Sequence, residues 1–235
     1  MHTPRTEFLA GIRAELPIAL SVLPFGLIYG VLAVAAGLPP ILAIATSSIV
    51  FAGSAQFIGA QLIGAGAPAL VIWATTFIVN LRHLLYSAGL APYTAHLSRP
   101  WRWLLAYLLT DEAYVVTAVY YEQTEAPRAV RHHYWLGAGL TLWTVWNLST
   151  TGGVLFGTQV PASWSLDFTL ALTFIGMVVP LCRYRPNLAA ALVAGIVAVL
   201  ANGLPYRLGI MAAALSGIAA GVLLEQWQAR REEAA

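Results

Sequence analysis

The sequence contains no lysine, a single cysteine and few charges of either sign. Charged residues make up only 9% of its 235 positions, against about 25% in ordinary soluble domains, so the chain lacks the polar surface that a water-soluble fold of this size requires. Its cations are all arginines, scattered along the chain at a formal net charge of +2. They form no basic patch of the kind a nucleic-acid backbone needs, which excludes nucleic acid as an expected partner. Cys182 alone cannot close an internal disulfide, and no Cys/His cluster has zinc-ligand spacing, so neither a metal nor another cofactor is expected. No Gly-x-x-x-x-Gly-Lys run exists, which argues against an ATPase.

What the chain has in excess is apolar length. Hydrophobic residues account for 59% of it, and the mean hydropathy is +0.74. Runs of about 18 or more apolar residues recur, each long enough for a hydrocarbon layer of about 30 Å. A spanning backbone must be helical or form a closed barrel. The runs Ala189–Ala201 and Met211–Leu224 are apolar on nearly every face rather than in alternation, which selects helices. The run Leu16–Gly37 is longer than a signal-peptide core and contains Pro17 and Pro24, so it reads as a first span. Breaks at charge, Pro and Gly place spans at 16–37, 41–65, 68–91, 103–121, 134–157, 167–182, 187–202 and 207–224.

The expected fold is all-α, a polytopic transmembrane bundle of about eight segments. The short sixth and seventh segments, and those joined by tight connections, are candidates for discontinuous or re-entrant helices. The expected organisation is an amino-terminal arm over 1–15, a single transport domain over 16–224 and a tail over 225–235. With eight crossings, Arg5, Arg13, Arg128, Arg131, Arg183, Arg185, Arg230 and Arg231 share one side, and Arg99, Arg102 and Arg207 the other. The positive-inside rule then makes both termini cytoplasmic. Trp101, Trp103, Trp135, Trp164 and Trp227 fall near span ends, where indole rings favour the headgroup region.

Charged groups at membrane depth are costly and point to function or to a partner. Arg82 lies about 15 Å from the end of the third span near Pro92, and Asp111 and Glu112 lie about 12 to 14 Å into the fourth from the same surface. The cation and the acids can therefore meet. One reading is a structural ion pair; the other gives Asp111 or Glu112 a coupling proton. His83, with Asn80 and Ser87 at helical spacing on its face, is either a packing residue or a proton relay. In the second span, Phe51, Gly53, Ser54 and Gln56 lie in a run of small residues. That run serves either close helix packing or an unwound segment whose backbone groups and Gln56 amide bind the charged ends of a solute. Pro24, Gly26 and Gly30 allow a kink or close packing, Asn147 an interhelical hydrogen bond, and Asp167 a helix start.

Pro24-Phe25-Gly26 with Gly30, the run Phe51 to Phe57, Asn80-Leu81-Arg82-His83 leading to Tyr86-Ser87, and Thr110-Asp111-Glu112 occur in this order. With Trp146-Asn147 and Leu166-Asp167-Phe168 they resemble the AzlC family, the large subunit of branched-chain amino acid exporters, over nearly the whole chain. The resemblance implies proton-driven export of Leu, Ile and Val, and by extension Met, across a cell inner membrane together with a small AzlD-type membrane subunit. It carries no residue-level mechanism. On the residues themselves, substrate contact is expected at Phe51, Gly53, Ser54, Gln56, Asn80 and Arg82, and proton coupling at Asp111, Glu112 and His83. A channel for a small solute, or a membrane enzyme using Asp111, Glu112 and His83, is the alternative, weakened by the lack of polar rings or of a nucleophile constellation.

Overall fold

The computed structural model describes residues 2–156, 182, 184–204 and 208–233. The predicted sixth span apart from Cys182, together with Trp164, Asp167, Arg183 and Arg207, lies outside these residues. The described chain is helical throughout, in the order α1 Pro4–Ala35, α2 Pro40–Ile49, α3 Gly53–Gly64, α4 Ala69–Asn80, α5 Arg82–Thr94, α6 Arg99–Tyr107, α7 Asp111–Gln123, α8 Arg128–Phe156, α9 Arg185–Leu200 and α10 Leu208–Glu233. Among the described residues no strand occurs. Among the described residues three helical stretches are long and apolar enough to cross a membrane: Pro4–Ala35, Ala69–Thr94 across the irregularity at Leu81, and Leu208–Arg231.

Helix α1 begins well ahead of the predicted first span. Thr3 caps it by accepting from Thr6 N–H at 3.2 Å, Thr6 returns the bond to Thr3 N–H at 2.8 Å, and Pro4 sits in the first turn, where a missing N–H costs nothing. Residues 4–15 are thus part of the helix, and it continues through Pro17 and Pro24 to Ala35, after which Gly37, with a φ of +91°, supplies the left-handed exit.

The second, third and fourth predicted spans are each divided. The breaks fall at 50–52, at Leu81 and at 108–110. Asp111 and Glu112 are therefore in the first turn of α7 rather than partway along one continuous helix. The divide at Leu81 is slight, its φ of −56° and ψ of −26° being helical, and across it Asn80 closes α4 while His83 and Ser87 follow in α5.

The contacts group into two compact units. In the unit Met1–Gln61 with Val79–Val160, α1 lies along α8. Glycines set this contact: a Cβ on Gly11 would overlap the Tyr134 carbonyl, on Gly30 that of Thr150, on Gly137 that of Phe8 and on Gly153 that of Leu27. Small residues let the two backbones meet directly, the packing mode that membrane helices favour in the absence of a hydrophobic drive. The pairings rise together in number, so α1 and α8 run parallel. Helix α7, joined to α8 by residues 124–127, returns antiparallel and packs on both. Gly26 is also a packing residue, its face filled by Ser149.

Trp135 is 3% exposed in a cluster with Leu90, Leu105, Leu109 and Tyr121, which corrects its reading as an interfacial anchor; Trp103 and Trp227 are exposed. His132 and His133 lie in the first turns of α8, edge-on to Trp101. His132 precedes the predicted span. Burial, then the neighbouring His133 and His96, push its pKa down to about 4, so the ring is neutral at pH 7. The unit Leu62–Ile78 with Pro161–Ala235 contains α9 packed antiparallel on α10, where a Cβ on Gly217 would meet Ala194 Cβ at 2.8 Å.

Candidate functional site

Three helix starts carry the charged site. Ser54 is in the first turn of α3, Arg82 opens α5, and Asp111 and Glu112 open α7. The local reasons differ. Thr110 caps α7, its hydroxyl accepting from Ala113 N–H at 3.3 Å, and the two acids that follow complement the positive end of the helix. At the first break, within the second predicted span, Phe51 has a φ of +42°, in the left-handed region that a bulky residue adopts only when held there. Its ring is 4% exposed and lies 6.1 Å from that of Tyr107.

The side chain that holds the break is Gln56. Its Oε1 accepts from Ala52 N–H at 3.3 Å and from Trp146 Nε1 at 3.1 Å, and its Nε2 donates to Ser47 Oγ at 3.0 Å. Ser47 in turn donates to Thr150 at 2.9 Å. This buried chain ties α2, the break and α8 together. Gln56 is thereby committed to the protein on both ends of its amide. Gly53 completes the fit, since a Cβ there would approach the Trp146 ring at 3.1 Å. A second brace runs from Trp143 Nε1 to the Tyr107 hydroxyl at 2.7 Å and on to the Ser48 carbonyl, while Ser48 Oγ donates to Asn147 Oδ1 at 2.6 Å. The interhelical bond expected of Asn147 is thus made to α2.

Arg82 and Asp111 form a salt bridge through Nη1 and Oδ2, and Arg82 Nη2 donates to Ser54 Oγ at 3.3 Å. The bridge is neither sealed nor saturated. Its side chains are 28% and 24% exposed. Arg82 Nε, Asp111 Oδ1 and the nearby Asn80 Oδ1 are buried atoms with no hydrogen-bond partner among the described residues. One donor and two acceptors are thus left unmatched where most buried polar groups are paired. The His83 ring meets other partners: its Nδ1 is 3.1 Å from the Asn80 carbonyl, and it is edge-on to Tyr86. Apolar and aromatic groups border the same unit, with Tyr29 stacked on Trp146 and edge-on to Phe57.

Ser54, Arg82, Asp111 and Glu112 thus lie at the helix starts and Asn80 at the end of α4, whereas Gln56 and Gly53 brace the break, Phe51 faces Tyr107, and His83 meets the Asn80 carbonyl. Two features carry no pattern in the sequence that singles them out: Glu15, which has no exposed surface, and the contact of Glu7 with Tyr120. The signal for Glu15 was an acid directly against the first apolar run, masked by Arg13 beside it.

A family model described as AzlC protein matches residues 17–160. The Escherichia coli (strain K12) inner membrane protein YgaZ is 24% identical over 234 residues, covering 96% of this chain and 94% of that relative. A membrane protein of Archaeoglobus fulgidus is 28% identical over 225 residues, covering 94% of each chain, and one of Haemophilus influenzae is 25% identical over 163 residues, covering 68% of this chain and 65% of its own length. No solved structure gives a significant match.

Proposed function

Because the chain belongs to the AzlC family of membrane proteins, we propose that it is the large subunit of a proton-coupled secondary transporter that exports branched-chain amino acids. The observation that carries this reading is the unsaturated Arg82–Asp111 bridge, with a spare donor on the cation and spare acceptors on the acid and on Asn80. A zwitterion fits such a pair without changing the net charge of the site. Its carboxylate can take Arg82 Nε and the Ser54 hydroxyl at the positive start of α3, and its ammonium can take Asp111 Oδ1 and Asn80 Oδ1. Each protein charge then keeps a partner throughout, which avoids stranding an ion at membrane depth. Phe51, Phe57 and Tyr107 supply an apolar border suited to Leu, Ile, Val and Met side chains.

Since the bound zwitterion is neutral, coupling to protons falls to an acid outside the exchange, and Glu112 beside Asp111 is that acid. The membrane is the inner one, as the name of the Escherichia coli relative says of that protein. Both termini face the cytoplasm, and a small AzlD-type membrane subunit completes the transporter. Proteoliposomes loaded with labelled leucine, with and without that subunit, test the reading under an imposed pH gradient. The expected result is gradient-dependent efflux that falls by about tenfold or more in Arg82→Gln and Asp111→Asn. Folded protein that moves no leucine in any lipid or subunit condition overturns it.

A further inference from the structure

The first helix carries two acids that the bridge does not use. Glu15 is fully buried, and neither of its carboxyl oxygens has a hydrogen-bond partner among the described residues. An ionised carboxylate there would bear the cost of a buried charge with no cation or donor to offset it. Glu7, about two turns earlier, is 3% exposed; the Tyr120 hydroxyl donates to its Oε2, and His2 Nδ1 lies 2.8 Å from its Oε1. The His2 side chain reaches solvent.

The antiparallel register of α1 and α7 aligns these groups. From the Glu7–Tyr120 contact, eight residues forward along α1 reach Glu15, and eight back along α7 reach Glu112, each about 12 Å away. The two acids share a level and interact electrostatically. Thr117, fully buried with an unpartnered hydroxyl, falls between Glu112 and Tyr120 on α7. Tyr134 of α8 stacks on Tyr120 with ring centroids 3.7 Å apart and interacts with both Glu7 and Glu15. The groups facing Glu15 are Glu112 from α7 and Tyr134 from α8; those facing Glu7 are His2, Tyr120, Tyr121 and Tyr134. Arg5 and Arg13 of α1 are exposed, and Arg131 lies over the Tyr93 and Tyr121 rings.

We propose that Glu112, Glu15 and Glu7 form a proton route from the Arg82–Asp111 site to the amino-terminal surface at His2, with Glu15 as its internal proton holder. The route deepens, and rests on, the proton-coupled reading above. Glu15, neutral at rest, passes its proton to the Glu7 carboxylate through the Thr117 or Tyr134 hydroxyl, which accepts one as it releases its own. Glu112, once protonated, then restores the proton on Glu15 and is left ionised. Glu7 discharges to solvent by way of His2. Per cycle one proton enters at Glu112 and one leaves, only O–H and N–H bonds change, and every carrier returns to its starting state.

The test pairs an infrared titration with two modes of leucine movement in proteoliposomes. The expected result is a protonated-carboxyl carbonyl band in the wild type that is lost in Glu15→Gln. In that variant gradient-driven leucine movement should fall by about tenfold or more, while leucine counterflow without a gradient is retained. Glu122→Gln, an exposed acid on α7, should change neither. A band that persists in Glu15→Gln, or gradient-driven movement at the wild-type level, overturns the route. If Glu15→Gln does not fold, Glu7→Gln and Tyr134→Phe carry the gradient measurement, and wild-type behaviour in both overturns it. Wild-type protein that moves no leucine in either mode defeats the transport reading instead. In that case the wild-type carboxyl band alone decides the route, its presence supporting Glu15 as a proton holder and its absence removing it.

Discussion

At Arg82 and Asp111 the energetic question is what each side chain would cost alone. Both are about three-quarters covered, and each already carries one atom with no partner. Removing one member leaves the other as an uncompensated, largely buried charge, whereas removing both leaves two neutral groups. Arg82→Gln and Asp111→Asn should each lower stability in detergent by about 1–3 kcal/mol, and the double variant should recover part of that loss. Thermal unfolding followed by tryptophan fluorescence measures this; strictly additive losses would mean that the two side chains do not depend on each other. The bridge was legible in the sequence because charge is rare there and depth can be counted along a chain. Glu15 was not legible, because an acid near Arg5 and Arg13 reads as a solvated arm until the helix is seen to begin at Pro4. Arg82 meets Asp111 although the continuous helix from which that meeting was expected is broken at 108–110.

At the scale of elements, hydropathy located the apolar stretches and missed their interruptions. The residues at the breaks, Val50 to Ala52, Leu81 and Leu108 to Thr110, are themselves mostly apolar, so an averaging window runs across them. Only one break had a chemical marker in the sequence: Thr110 followed by two acids has the composition of a helix start. The others depend on long-range partners, Gln56 on Trp146 and Phe51 on Tyr107, which no local pattern records. Glycine shows the same divide between local and tertiary causes. Gly153 faces the Leu27 backbone, so Gly153→Leu should cost about 1–3 kcal/mol or more through overpacking. Gly195, inside α9 with nothing within 4 Å of a Cβ, should gain up to about 1 kcal/mol as Gly195→Ala. Thermal stability of the two variants checks the contrast; equal effects would mean that the α1–α8 backbone contact is not close.

For the whole molecule, composition alone placed the chain in a membrane, and the order of its motifs placed it in its family. The arginine distribution adds a direction. The structure corrects the expected split, placing Arg99 and Arg102 on the side of Arg128 and Arg131, since His96 meets the Arg128 carbonyl and Trp101 packs on His132. On a Cys182→Ser background, Thr3→Cys, Ser98→Cys and Ala229→Cys should therefore all react with a membrane-impermeant maleimide only after permeabilisation. Labelling of Thr3→Cys in intact cells would invert the orientation and turn the proton route toward the opposite face.

The glycine contact between α1 and α8 also has a mechanical meaning. Where two backbones touch with no layer of side chains between them, there are no rotamers to absorb sliding, and stiffness is set by main-chain atoms. That pair is fitted to be a stator. Compliance is left to the short helices α3, α5 and α7, each entered through non-helical residues or an irregular turn whose φ and ψ can rotate. Work done by a solute on Arg82 and Asp111 would then be delivered as torque at residues 50–52, 81 and 108–110, against a wall that does not yield.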